Sequence, residues 1–241
     1  MVMAPETRKN SSMSCEEFGT LVATNPQALL SFYVDHSKMS LGRLRQGLIN
    51  LTQNPLDNLP SLKRETDEVA FDLVSLSPGT DYLQNPDLEM LFHHCSFVSI
   101  WMNLAYLAAT DIGFMEMPEE VKASKNVLIS FIGKLLNGLT PEFRRLQLDP
   151  VEFAALKAIS VWKMSILGDN ETARVLSGEQ YLGVAKSLNE YHQTKNLQDF
   201  EKAGRLADIT SLMAQISALY QEMITVYTTL NIDDCYRGDF C

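Results

Sequence analysis

The chain has 241 residues, of which 46% are hydrophobic, enough for one large domain or two small ones with a substantial core. Its 30 acidic residues outnumber its 20 basic ones, and the net charge of -10 argues against a nucleic-acid-binding surface over most of the chain. The four cysteines stand far apart without a C-x-x-C pair, which argues against a structural zinc site and against a disulfide framework. A reducing, intracellular compartment fits this pattern.

The first stretch, residues 1–14, is polar and contains Arg8 and Lys9 but no apolar run. A secretory signal needs such a run, so we expect a flexible tail here instead. We expect residues 15–241 to form one helical domain.

Apolar residues recur at helical spacing through residues 15–51, with Asn25-Pro26 as a break between two helical pieces. Residues 54–60 hold two prolines, two asparagines and an aspartate, which predicts a loop. Residues 62–76 predict a helix whose charged front half is solvated and whose apolar back half is buried. Ser77-Pro78-Gly79 should end this helix.

Residues 91–110 contain no charged residue, no glycine and no proline, and their apolar side chains lie on every side of a helix. Such a helix is either a membrane span or the buried centre of a helical protein. Polar residues such as His94, Ser99 and Asn103 would each need a partner in lipid, and no basic cluster flanks the stretch. We therefore predict a buried central helix, which begins with Asn85 as its N-cap and Pro86 behind it.

A break follows at residues 111–120, where two or three short strands would fit. Residues 121–139 predict an amphipathic helix that ends at Asn137-Gly138.

Two further helix starts follow from capping patterns. Asp149 is placed as an N-cap, with a proline next and Glu152 at the third helical position. Ser177 with Gln180 predicts a second capping box, which opens a helix to about Tyr191.

The last predicted helix covers about residues 198–230 and carries two apolar rows. The first row alternates steps of three and four residues and would dock the helix on the core. The second row lies beside it, which indicates either a partner subunit or deep burial within one chain. The second row consists of Leu212, Leu219 and Val226.

The sequence shows no catalytic constellation. It has no glycine-rich phosphate loop, no G-x-S-x-G and no H-E-x-x-H. His93 and His94 point about 100° apart on a helix and cannot easily share a metal ion. Cys95 in an apolar helix is typical of a small core residue. We predict no enzyme activity, no metal site and no cofactor; the helical core is either filled or built around an apolar cavity.

Three segments resemble the ligand-binding domain of nuclear hormone receptors, especially the divergent receptors of some invertebrate lineages. Residues 83–93 (LQNPDLEMLFH) look like the entry to the family's central helix. Residues 143–159 (FRRLQLDPVEFAALKAI) are similar to the family pattern L-x-L-x-x-x-E-F-x-x-L-K-A-I and are the most specific match. Residues 188–191 followed by 205–207 look like the junction between two later helices, and order and spacing agree over roughly residues 60–230.

The resemblance implies an all-α, three-layer antiparallel helical sandwich. It also implies a nuclear, transcription-regulating protein whose partners are a lipophilic small molecule, co-regulators, and a homo- or heterodimeric receptor domain bound through the last long helix. The chain itself would make no contact with nucleic acid or membrane. An open alternative is a ligand-free helical adaptor or dimerisation module. Ligand contacts carried over by position are Phe97, Ile100, Trp101, Leu104, Met223 and Tyr227.

The resemblance also pairs Glu152 with Arg205 as a structural ion pair, although the capping box accounts for Glu152 equally well. The sequence departs from the family pattern near its C-terminus. The family ends in an activation helix with an apolar-apolar-x-Glu-apolar-apolar pattern, and residues 236–241 lack that pattern. We therefore expect this final helix to be short or absent.

Overall fold

The computed structural model describes residues 26–111, 113–114, 117–165, 170–195 and 197–232. Helices make up this part of the chain, and no strand occurs in it. The predicted tail at residues 1–14 and the predicted lack of a final helix lie outside these ranges. The helices are α1 (Pro26–Gln53), α2 (Pro55–Leu76), α3 (Asn85–Phe97), α4 (Asn103–Thr110), α5 (Glu119–Lys122), α6 (Val127–Leu146), α7 (Pro150–Ser165), α8 (Glu171–Thr194), α9 (Asp199–Ser211) and α10 (Met213–Leu230).

The helices stack in three layers, as the all-α sandwich prediction requires. One outer layer holds α1 and α2, and the other holds α6, α9 and α10. Between them lie α7, α8 and the rod formed by α3 and α4. Buried apolar side chains from all three layers form one continuous core.

The central rod is buried as predicted. Between Leu91 and Ala108 every side chain is buried except that of His93, which is partly exposed. Helices from both outer layers cover the rod, so its charge-free surface meets protein instead of lipid. Among the described residues no helix has the length and apolar character needed to cross a bilayer.

A π-helical turn at Val98–Met102 joins α3 to α4. Such a turn has a wider hydrogen-bonding step than an α-helix and accommodates an extra residue without ending the helix. It falls on the segment that carries Ile100 and Trp101, and π-helical turns are frequent at functional sites.

Two predicted breaks are helical in the structure. α2 begins at Pro55, and Pro60 lies inside it, so the loop predicted at residues 54–60 was wrong. Leu59 and Leu62 are each only 2% exposed, and their burial holds this proline-rich segment in the helix.

The predicted solvated front half of α2 is confirmed at Arg64, Glu65 and Glu68, which are exposed, and wrong at Lys63 and Asp67, which are buried. In the back half, which was predicted to be buried, Phe71 and Leu76 are exposed.

α6 continues past Asn137-Gly138 to Leu146, beyond the predicted end. A Cβ on Gly138 would lie 2.4 Å from Nε2 of Gln215 on α10. This glycine therefore marks the close approach of two helices and does not end the helix.

The predicted start of α7 is confirmed. Asp149 Oδ1 accepts hydrogen bonds from the backbone N–H groups of Val151 (2.8 Å) and Glu152 (2.9 Å), and Glu152 Oε2 accepts from the Asp149 N–H (3.1 Å). The second predicted capping box is wrong. Asn170 caps α8, and Gln180 lies buried inside that helix.

Candidate functional site

Four of the six residues predicted to contact a ligand lie deep in the core. Aromatic rings of the protein pack beside them. Phe97 meets Tyr220 edge to face with 5.4 Å between ring centroids, and Trp101 meets Phe131 in the same way at 4.9 Å. The interior is therefore densely packed at this point. The four residues, each at most 1% exposed, are Phe97, Ile100, Trp101 and Leu104.

The other two, Met223 and Tyr227, line an open groove of about 450 Å³ on α10, within the usual range of ligand sites. The Tyr227 ring separates this groove from the core, with its centroid 6.4 Å from that of Trp101. The structure therefore puts two predicted ligand residues on the groove wall, and Phe97 and Trp101 contact the wall rings of Tyr220 and Tyr227 from inside the core. We call this the α10 groove; it is lined by His93, Tyr220, Met223, Ile224, Tyr227, Thr228, Asn231 and Ile232.

Two buried polar atoms of the rod have no hydrogen-bond partner among the described residues. They are the indole Nε1 of Trp101 and the hydroxyl oxygen of Ser99, both on the π-helical turn. Both side chains are 0% exposed. A buried donor without an acceptor costs about 1–3 kcal/mol. The indole N–H is therefore a place where an acceptor from a bound molecule would stabilise the structure.

Glu152 is the centre of a buried polar cluster that joins α7, α8 and α9. Arg205 donates from Nε to Oε1 and from Nη2 to Oε2 of this carboxylate, at 2.7 Å each. The imidazole Nε2 of His192 donates to Oε1 at 2.9 Å. The same carboxylate caps its own helix through the Asp149 N–H, so the ion pair and the capping box coexist.

Burial alone would raise the pKa of the Glu152 carboxyl. The hydrogen bonds from Arg205 and from the Asp149 backbone outweigh burial, and the pKa lies below its ordinary value. Glu152 therefore stays ionised inside the protein, where it is 2% exposed. An ionised group with four donors fixes the geometry of three helix segments, so the cluster is a structural one.

The second apolar row of the last helix lies inside the monomer. α10 packs against both α6 and α7. This row is therefore buried within one chain, and its side chains do not form an exposed surface for a partner subunit. Exposed fractions are 4% for Leu212, 7% for Leu219 and 5% for Val226.

The outer face of α10 is free of charge. Glu222 is the one charged residue between Met213 and Leu230, and it is tied to Lys134 on α6 at 2.5 Å. A face without charges is unusual for a solvated helix. Its exposed residues are Ala214, Ala218, Gln221, Ile224, Thr225, Thr228 and Thr229.

A buried lysine in the core was missed by the sequence analysis. Lys157 on α7 is 4% exposed and donates to Oδ1 of Asn103 at 3.0 Å. The Asn103 amide in turn donates to the Ser40 hydroxyl at 3.1 Å. Burial lowers the pKa of the Lys157 amine to about 7. The sequence gives no sign of this burial, because a lysine among apolar helix residues can equally lie on the exposed face of an amphipathic helix.

The candidate reactive residues have inert surroundings. Burial raises the pKa of the Cys95 thiol far above its ordinary value, which leaves it protonated and unreactive. Burial lowers the pKa of His94 to about 3, and its Nδ1 lies 2.9 Å from the Ser165 hydroxyl. In the part of the chain that the structure describes, no three potential ligands gather to hold a metal ion.

Comparison with known proteins matches residues 89–230 to the ligand-binding domain of nuclear hormone receptors. The chain is 28% identical over 215 residues to nuclear hormone receptor family member nhr-169 of Caenorhabditis elegans, which covers 88% of this chain and 58% of that protein. Nuclear hormone receptor family member nhr-77 of the same organism is 25% identical over 209 residues, 85% of this chain and 56% of that protein.

Nuclear hormone receptor family member nhr-89, also from Caenorhabditis elegans, is 25% identical over 226 residues, 93% of this chain and 70% of that protein. The chain thus spans a little over half the length of the first two of these relatives. The family match covers the rod, α6 to α10 and the Glu152 cluster. This chain belongs to the family of nuclear hormone receptor ligand-binding domains.

Proposed function

We propose that this chain is a receptor domain that regulates transcription in the nucleus, without enzyme activity, by binding a lipophilic small molecule and pairing with a second receptor domain and with co-regulators. The observation that supports ligand binding most directly is the buried indole N–H of Trp101, which has no acceptor among the residues that the structure describes. It lies one aromatic ring behind an open groove of ligand size.

The ligand in this proposal is apolar and carries one hydrogen-bond acceptor, such as a carbonyl or hydroxyl oxygen. It enters the α10 groove against Met223 and displaces the Tyr227 ring from its place beside Trp101. Its oxygen then accepts from the indole N–H and removes the cost of the buried, unpaired donor. The remaining contacts would be apolar and aromatic.

Replacing Trp101 with phenylalanine tests this proposal. Native mass spectrometry of the protein purified from cells should show a bound lipophilic molecule on the wild type. Trp101→Phe should weaken its binding about tenfold, because the ring stays apolar while the only proposed donor is removed. Trp162→Phe is the matched control, since that buried indole already donates to the Tyr33 hydroxyl at 2.7 Å and lies away from the groove lining.

A wild-type protein that carries no small molecule and binds none would overturn the ligand part of the proposal. The alternative would then hold, a ligand-free helical adaptor or dimerisation module. The dense packing around Phe97 and Trp101 favours that alternative.

The partner surface in this proposal is the outer, charge-free face of α10. Small exposed side chains there let a second helix approach closely. Ala218→Arg should convert a dimer into a monomer, because the long charged side chain would be buried in the interface without a partner. Sedimentation velocity over a range of protein concentrations measures this.

Ala28→Arg, at an exposed alanine on α1, is the control and should leave the association state unchanged. A wild-type protein that stays monomeric, both alone and when mixed with a second receptor domain, would disprove the dimer. Charged substitutions at Leu212 or Leu219 cannot serve here, since burial of the new charge would unfold the monomer.

A further inference from the structure

A larger groove lies on a different face of the molecule. It has a volume of about 620 Å³ and runs between the end of α4, the residues Phe114 and Met117, and the outer face of α6. It shares no lining residue with the α10 groove. We call it the α6 groove, and Ala108, Asp111, Met117, Ile129, Leu136 and Arg144 are among its lining residues.

The α6 groove is long. Its lining follows one face of α6 from Ile129 to Arg144, which is about 22 Å at the rise of an α-helix. Its volume lies within the range of small-molecule sites. The shape fits an extended molecule better than a compact, globular one.

A glycine keeps the floor of this groove open. Gly133 lies in the middle of α6, and a Cβ built on it would meet nothing within 4 Å. A helix is less stable with glycine than with alanine at an interior position. No packed neighbour would clash with a larger side chain at this position. Its effect is to leave room above the helix, between Ile129 and Leu136, which are apolar walls of the groove.

One end of the groove presents a cation. The Arg144 guanidinium donates from Nη2 to the Ala108 carbonyl at 2.6 Å and makes no ion pair with a described residue. The acidic residue of the lining, Asp111, accepts from Nε of Arg45 at 3.0 Å, so its charge is already compensated. Lys122, toward the other end, is paired with Glu119. This end therefore presents a positive charge that can pair with an anion, although the chain as a whole carries a net charge of -10.

We propose that the α6 groove binds an extended amphiphile with a single anionic head group, whose chain lies along Ile129, Gly133 and Leu136 and whose head group pairs with Arg144. Such a molecule uses both the apolar residues of the floor and the cation at its end, which makes no ion pair with a described residue. Polar side chains (Ser130, Asn137 and Thr140) also line the groove, so the preference for an amphiphile over a peptide rests on this single cation at one end. This site is separate from the ligand site at Trp101 and does not depend on it.

The test uses the full chain and cis-parinaric acid, a fluorescent long-chain carboxylate, displaced by palmitate or by hexadecanol. Wild type should bind the probe saturably. Gly133→Phe should raise its Kd at least about tenfold by filling the floor. Gly178→Phe is the matched control, because Gly178 is also a helix-interior glycine with nothing within 4 Å of its Cβ position, but lies on α8. It should bind as wild type does.

Arg144→Gln should weaken palmitate about tenfold and leave hexadecanol unchanged, since only the charge-assisted contact is lost. This exposed substitution keeps the test decisive if Gly133→Phe fails to fold. Trp101→Phe should not change probe binding, which separates this site from the α10 groove. Two outcomes would overturn the proposal. One is that the wild type shows no saturable binding of the probe. The other is that a folded Gly133→Phe binds the probe as the wild type does, while Arg144→Gln weakens the binding of the acid and of the alcohol equally.

Discussion

Glu152→Ala is expected to lower the free energy of unfolding by about 3–5 kcal/mol, the cost of breaking a buried ion pair from one side. The carboxylate accepts two bonds from Arg205 and one from His192, which is 0% exposed. It also accepts from the first backbone N–H of its own helix cap. Removal therefore leaves several donors without their acceptor. Urea unfolding followed by circular dichroism measures the change.

A double-mutant cycle separates the ion pair from the cap. Arg205→Ala should cost nearly as much as Glu152→Ala, since it leaves a buried carboxylate without its main partner. The double variant should be more stable than the sum of the two losses implies, by more than about 1 kcal/mol. Strictly additive losses would show that Glu152 acts through the cap and His192 and not through Arg205.

The second large effect concerns Lys157 and pH. The pKa of this amine is about 7 in the folded protein, while in the unfolded chain it returns to about 10.5. Between these values the unfolded chain binds more protons, so stability rises as the pH is raised. Between pH 7 and pH 9 the wild type should gain about 2 kcal/mol over Lys157→Met, which has no amine to titrate.

At pH 7 itself, Lys157→Met should be the more stable protein. It no longer buries a partly charged amine, although Asn103 loses a donor. Lys63→Met is a contrasting control, because Lys63 is 3% exposed but paired with Asp67, whose buried carboxylate would lose its cation and keep the hydrogen bond from the Ser96 hydroxyl at 3.0 Å. It should be destabilising throughout this pH range. Parallel pH profiles for wild type and Lys157→Met would contradict the account.

The sequence predicted those parts of the fold that depend only on residues close together in the chain. The Asp149 cap and the charge-free rod were read correctly because each needs only neighbouring residues to define it. Pro60 was misread because the burial of Leu59 and Leu62 overrides a local preference. Gln180 was misread because its amide bonds the Pro78 carbonyl and the Tyr33 hydroxyl, partners far away in sequence.

The candidate sites were less predictable than the fold. The family resemblance named four residues on the rod and two on α10, but no pattern reveals which of them face a groove and which face other side chains. Arg144 and Gly133 look like ordinary members of a helix, since their importance depends on what the neighbouring segments leave uncovered. The same holds for Lys157, whose burial is decided by α1 and α3 packing on α7.

The wide turn at Val98–Met102 makes the rod two helices in series with a fixed angular offset. Each residue of an α-helix rotates the chain by about 100°, and the wide turn contains about one residue more than a regular turn does. Deleting one residue there should therefore restore regular winding while Asn103 still faces Lys157 and the same α4 side chains still face α6. Forcing all five residues into regular winding without a deletion would instead rotate α4 by about 100° relative to α3 and separate Asn103 from Lys157.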